Sequence, residues 1–102
     1  MIPIEECILG CLLLDPSAFA RISGRITEAD FGSEAHRRIF RHIAQLIEAG
    51  RPSDIVTVFE SMDKAGEAEQ AGGLEYLGRI ANNTPSLSRI DHYVDLLKPE
   101  AA

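Results

Sequence analysis

The sequence is poor in the features that most catalytic and nucleic-acid-binding chains display. Ten Lys and Arg stand against sixteen Asp and Glu, a formal net charge of −6. Clustered positive charge is what releases counterions from a phosphate backbone, so this balance argues against a nucleic-acid grip. Cysteine occurs twice, at Cys7 and Cys11. Two thiols are too few for a disulfide scaffold, and a shared helix prevents them from bridging each other. The longest apolar run, Cys7–Leu14, is broken by Gly10 and ended by Asp15. It is too short to span a bilayer and lacks the basic flank of a signal peptide, so a cytoplasmic location is expected. No phosphate loop of the GxxxxGK[ST] kind is present, and the Gly72-Gly73 pair lacks the third glycine and preceding strand of a dinucleotide site.

What remains is an ordinary folding composition. The 102 residues are 45% apolar and 25% charged. They suffice for one modest core but leave no room for a nucleotide-hydrolysing domain. Alternation of apolar and polar residues never persists, so strands are not expected, whereas helix punctuation recurs throughout. Pro3 opens a helix carrying Ile4, Cys7, Ile8, Cys11 and Leu12 at helical spacing. Asp15-Pro16 starts a short second helix over Pro16–Ile22, with Asp15 as its cap. Thr27–Asp30 reads as a capped turn delivering Phe31, and Ser33 caps a helix running to Ala49, closed by Gly50. Asp54 caps a helix over Ile55–Ala65; Glu67–Ala71 reads as a polar loop. Two further helices are expected at Leu74–Asn82 and, capped by Ser86 and halted by Pro99, Leu87–Lys98. The expectation is an all-α bundle of about six short helices, without repeat or internal linker. Residues 1–98 form the domain and 99–102 a tail or the start of a linker.

Chemistry-bearing constellations are weak. Cys7 and Cys11, at i and i+4, could offer two metal ligands, but they sit in the stripe with Ile8 and Leu12 and read as core. His36 and His42 are six apart and on different helix faces, and His92 stands alone. Each reads as a surface or hydrogen-bonded helix residue. Glu5-Glu6 and Glu67/Glu69 read as solvated, the first pair also suiting a helix N-terminus. Arg37, Arg38 and Arg41 form one basic cluster, which reads as a solvated helix face rather than a DNA footprint. Taking 100° per residue, Leu74, Leu77 and Ala81 fall within about 60° of arc, leaving Tyr76 and Ile80 beyond the stripe. On the last helix Leu87, Ile90, Val94 and Leu97 form the stripe, with Tyr93 at its edge and Leu96 about 100° outside. These off-stripe residues are the candidates for partner contact.

Six segments, in order, carry a resemblance: ECILGCLLLD (Glu6–Asp15), ADFGSEAHRRIF (Ala29–Phe40), GRPSDIVTV (Gly50–Val58), GGLEYL (Gly72–Leu77), ANNTPS (Ala81–Ser86) and IDHYVDLL (Ile90–Leu97). Together they are spread over nearly the whole chain, from Glu6 to Leu97. It resembles the N-terminal domain of DnaB-type bacterial replicative helicases. The resemblance implies a non-catalytic helical domain ahead of a linker and an ATPase motor, with ATP and magnesium belonging to that motor. It implies self-association as a dimer within a hexameric ring, docking of the C-terminal domain of a DnaG-type primase, and contact with a helicase loader. No membrane or direct nucleic-acid contact is implied. The tyrosine of the family's GGxxYL motif, linked to primase contact, falls on Tyr76. With Ile80, Tyr93, Leu96 and Leu97 it makes up the partner-binding set. Gly10 falls inside a helix, where glycine costs about 1 kcal/mol relative to alanine, so a close helix–helix approach is expected there. The family's helical hairpin begins around Ile90–Leu97, and its second helix lies outside this sequence. The cysteine positions are usually small or polar in the family. Two other readings are a stand-alone helicase regulator or decoy, and a small helical DNA-binding module.

Overall fold

A computed structural model describes residues 3–84 and 86–98, with Leu87 in its backbone alone. Among these residues there are six α-helices and no named strand. They are α1 (Ile4–Leu14), α2 (Phe19–Ile22), α3 (Glu34–Glu48), α4 (Ile55–Lys64), α5 (Gly73–Asn82) and α6 (Ile90–Leu97). The fold is all-α, as the punctuation predicts.

Helix α1 is the axis of the bundle. Every residue from Cys7 to Leu13 is buried, because α3, α5 and α6 each pack against it. A helix apolar around its whole circumference is stable only when surrounded in this way. The approach of α5 is close. A Cβ on Gly10 would lie 1.7 Å from Thr84 Oγ1 and 2.9 Å from the Ile80 carbonyl oxygen. That contact accounts for a glycine in a helix interior. Both cysteines are free and buried. Cys11 donates its thiol to the Ser86 carbonyl at 3.6 Å. Burial first, then the neighbouring Cys7 and Asp15, pushes the Cys11 thiol up to about 11.

Local signals set most boundaries. Ser33 Oγ accepts from His36 N at 3.3 Å, Asp54 Oδ1 accepts from Thr57 N at 2.8 Å, and Gly50 ends α3 with φ +72°. The Thr27 turn closes through Asp30 Oδ2, which accepts from Thr27 N at 2.8 Å, and delivers a fully buried Phe31. Phe31 and Phe19 both stack at an angle on Phe40 of α3, at ring-centroid distances of 5.1 and 6.2 Å.

Several expectations need correction. The second helix is a 3-10 turn over Pro16–Ala18 running into α2, and Asp15 does not cap it with its side chain. Its carboxylate instead accepts from Ser17 Oγ at 2.5 Å. The last helix is likewise split into a 3-10 turn over Leu87–Arg89 and α6, with no side-chain cap from Ser86; Ser86 Oγ lies 3.1 Å from Ser88 Oγ. On α5 the apolar stripe is rotated. Leu77, Ile80 and Ala81 are buried, while Leu74 is 44% exposed. The Glu67–Ala71 loop is not merely polar, since Ala68 and Ala71 are core residues. The turn at Pro85, the Pro99 stop and the tail lie outside the described residues.

Candidate functional site

Tyr76 closes the first turn of α5, three residues after the Gly72-Gly73 pair, whose φ values are +94° and +73°. Both lie in the left-handed region that disfavours a side chain. At Gly72 there is also no space: a Cβ would lie 2.7 Å from that of Tyr76. The glycine pair therefore turns the chain tightly enough to bring Tyr76 back over the entrance of its own helix. The ring is half-buried, with the Arg79 guanidinium 5.6 Å from its centroid.

The Tyr76 hydroxyl points into a polar cluster that joins three helices. It lies 2.6 Å from His36 Nε2 of α3 and 3.4 Å from Glu6 Oε2 of α1. The other imidazole nitrogen, Nδ1, lies 2.6 Å from Glu5 Oε1. Glu5 also accepts from the backbone N–H of Gly32 at 2.7 Å and of Ser33 at 3.4 Å. One carboxylate thus ties the first turn of α1 to the entry of α3. Burial works against the Glu5 charge, but the donors from Gly32, His36 and Ser33 together outweigh it and hold its carboxyl below the usual range. Tyr76 is shifted the other way, upward, by burial and then by the nearby Glu6 charge.

A second polar hub lies further along α3. His42 Nε2 is 2.7 Å from Glu67 Oε1, and its Nδ1 is 2.8 Å from Ser61 Oγ. Glu67 Oε2 accepts from Arg38 at 2.8 Å and from Arg41 at 3.3 Å, and Arg41 also donates to Glu28 at 2.7 Å. Arg37 donates to the Phe31 carbonyl and to Glu34. The three arginines are therefore paired rather than simply solvated, which corrects the sequence reading. Glu5 and Glu67 are corrected with them, since both are anchored acceptors.

The remaining sequence-derived residues are scattered in accessibility. Ile80 and Tyr93 are 1% and 7% exposed, so neither lies at an open edge in this fold. Leu96 is 48% exposed, and Leu97 is partly buried against the core. Helices α5 and α6 both pack on α1 and make little contact with each other. Tyr76 and Ile80 are therefore held apart from Tyr93, Leu96 and Leu97. Leu14, Val56 and Leu74 are further exposed apolar side chains. A groove of about 330 Å³ lies along α2 and α3, lined by Phe19, Ile26, Phe40 and Ala44 among others. Among the described residues no cluster of three or more metal-ligating side chains occurs, and no helix is long and apolar enough to cross a membrane.

Sequence reasoning missed Glu5, Glu6 and His36 as neighbours of Tyr76. One signal was available: His36 stands three residues after a capping serine, at the mouth of a helix, beneath an apolar stripe that must fold onto α1.

Comparison with known proteins gives a coherent result. The family model described as DnaB-like helicase N terminal domain matches residues 1–99. A replicative DNA helicase DnaB of Buchnera aphidicola (subsp. Baizongia pistaciae) is 38% identical over 94 residues, covering 92% of this chain and 20% of the relative. The DnaB of Pasteurella multocida is 33% identical over 97 residues, covering 95% and 21%. The crystal structure of the N-terminal domain of DnaB helicase from Mycobacterium tuberculosis superposes with a TM-score of 0.91 at 30% identity, over 96% of this chain and 70% of that one. The chain thus spans about a fifth of the length of the helicase relatives it matches.

Proposed function

The chain belongs to the DnaB-like helicase N-terminal domain family, and from that membership we propose that it is the non-catalytic assembly and docking domain of a replicative DNA helicase. Residues 1–98 form that domain. In the whole protein, domains of this kind pair and build a collar on a hexameric ring, while ATP and magnesium serve a motor beyond this sequence. The collar takes up the C-terminal domain of a DnaG-type primase and contacts a helicase loader. Binding, not bond-making, is the mechanism. Exposed apolar side chains such as Leu96 serve self-association, and the Tyr76 end of α5 serves primase.

The observation that carries the docking reading is the mounting of Tyr76. Its hydroxyl lies within reach of groups on α1 and α3, the Arg79 guanidinium lies over its ring, and Leu74 in the same helical turn is exposed. An aromatic held in one orientation next to an aliphatic and a guanidinium is the composition of an interface anchor. A DNA-binding module is not favoured, because Arg37, Arg38 and Arg41 are engaged by carboxylates within the fold.

The test is sedimentation of the chain alone and with a primase C-terminal domain, followed by titration. Tyr76→Ala, verified as folded by circular dichroism, should weaken primase binding at least about tenfold, the equivalent of about 1.4 kcal/mol. Leu74→Ser should weaken it less. Equal affinity for wild type and folded Tyr76→Ala would remove the docking assignment. ATP hydrolysis by the purified chain would overturn the non-catalytic reading.

A further inference from the structure

The Glu5–His36–Tyr76–Glu6 chain holds more order than packing alone requires. Glu5 and Glu6 are consecutive on α1, yet they meet the cluster at opposite ends: Glu5 on the imidazole Nδ1, Glu6 on the phenol. Tyr76 has one hydroxyl proton and two acceptors within reach, His36 Nε2 at 2.6 Å and Glu6 Oε2 at 3.4 Å. Which of them receives it depends on the state of the histidine. With His36 neutral, the Glu5 carboxylate at 2.6 Å claims an Nδ1–H, so Nε2 is bare and accepts the Tyr76 proton. With His36 protonated, Nε2–H must donate to the phenol oxygen, and the Tyr76 proton turns to Glu6. One proton taken up at Nε2 thus reverses one hydrogen bond and forms a second, from the phenol to Glu6.

We propose that His36 is the positioning residue of Tyr76, setting whether the tyrosine is held by α3 alone or by α3 and α1 together according to its own protonation. The groups facing the imidazole are Glu5 and, through the phenol, Glu6 of α1, and Tyr76 of α5 with Arg79 over its ring. On its own helix, the N-terminal end of α3 opposes a positive charge, and Glu34 is taken up by Arg37 and Arg38. Burial and the Glu6 charge keep Tyr76 protonated across the histidine range, and the donors around Glu5 keep that residue ionised. Histidine is the side-chain type that ordinarily changes charge between pH 8 and pH 5, which sets the window of the test. The consequence for docking rests on the reading of Tyr76 as a primase anchor; the positioning itself does not.

Two measurements on the 102-residue chain test the positioning without any partner. The first is the ring 15N spectrum of His36 at pH 8, where Nδ1 should be protonated and Nε2 bare. A protonated Nε2 at that pH overturns the proposal. The second is 19F spectroscopy of the chain labelled with 3-fluorotyrosine. The Tyr76 signal should shift between pH 8 and pH 5 in wild type and in His92→Gln, and stay fixed in His36→Gln, whose amide oxygen keeps an acceptor toward the phenol but cannot be protonated there. A Tyr76 signal that is flat in wild type, or that moves equally in His36→Gln, overturns the proposal. A third measurement separates the two claims. Primase affinity should change severalfold between pH 8 and pH 6 in wild type and not in His36→Gln. If the 19F signal responds as expected while primase affinity is flat, the positioning holds and the docking reading fails.

Discussion

Gly10 of α1 faces Thr84, two residues past the end of α5, with no room for a methyl group between them. A Cβ at position 10 would stand 1.7 Å from Thr84 Oγ1 and 2.9 Å from the Ile80 carbonyl oxygen. The first partner is a side chain and could move, but the second is backbone and could not without displacing α5. Gly10→Ala should therefore destabilise the chain by about 1–3 kcal/mol, the usual cost of overpacking. Adding Thr84→Ala should recover only part of that loss, because the carbonyl contact stays. Urea melts of the two variants check this, with the midpoint falling at constant slope.

Acid sensitivity should be traceable to Glu5. Its folded value lies below the ordinary 4.5. A carboxylate of this kind stabilises the fold fully above its unfolded value, and the contribution is lost as pH falls through the folded one. Glu5→Gln should be less stable than wild type at pH 7, and the gap should close as pH drops below about 4.5. Thermal melts from pH 7 to pH 3 give both curves. A gap that stays constant over that range would show that Glu5 contributes through shape alone.

The His42 hub ties α3, α4 and the turn after α4 together through Ser61 and Glu67. His42→Ala removes the ring nitrogen that pairs with Ser61 Oγ and strips Glu67 of one of three side-chain partners, His42, Arg38 and Arg41. Losing the buried imidazole together with its two bonds to partly buried partners should cost about 1–3 kcal/mol. By contrast Arg21, Arg25, Asp91 and Asp95 form an exposed lattice between the α2 end and α6. Asp91→Asn there should cost a small fraction of the His42→Ala loss, because solvent screens such pairs. Parallel denaturation of the two variants decides the ranking.

The two thiols offer a further check. Both are buried, and burial raises both above the ordinary cysteine value. Since the thiolate is the reactive species, a disulfide reagent at pH 8 should label neither in the native chain and both in urea. Rapid labelling of Cys11 in the absence of denaturant would contradict the central placement of α1.

Much of the fold was legible because its signals are local. Ser33, Asp54 and Gly50 act within one turn of where they stand, and they bound α3 and α4 as the residues predict. The errors share a cause. Periodicity puts Ile80 outside the α5 stripe because it defines an arc but not its orientation, which is set where the Ile80 turn of α5 closes on Gly10 of α1. The Tyr76 cluster is less legible still. Glu5 is 31 residues from His36, and His36 is 40 from Tyr76, so no window of sequence contains the contact. Its place off the helical stripe and the GGxxYL motif, read as a resemblance, both put Tyr76 among the candidates, but neither names Glu5, Glu6 or His36 as its neighbours.

The central position of α1 has a temporal consequence. The helix is made early by the ribosome, yet the surfaces that cover it come from α3, α5 and α6, up to about eighty residues later. Until Val94 has left the exit tunnel, a stretch as oily as Cys7–Leu13 has nowhere complete to hide. Long-separation contacts of this kind slow folding, and a chain emerging at about 5–20 residues per second spends several seconds or more in that condition. The nascent domain thus closes late, and a mutation in α6 should raise aggregation during synthesis more than its effect on the finished fold would suggest.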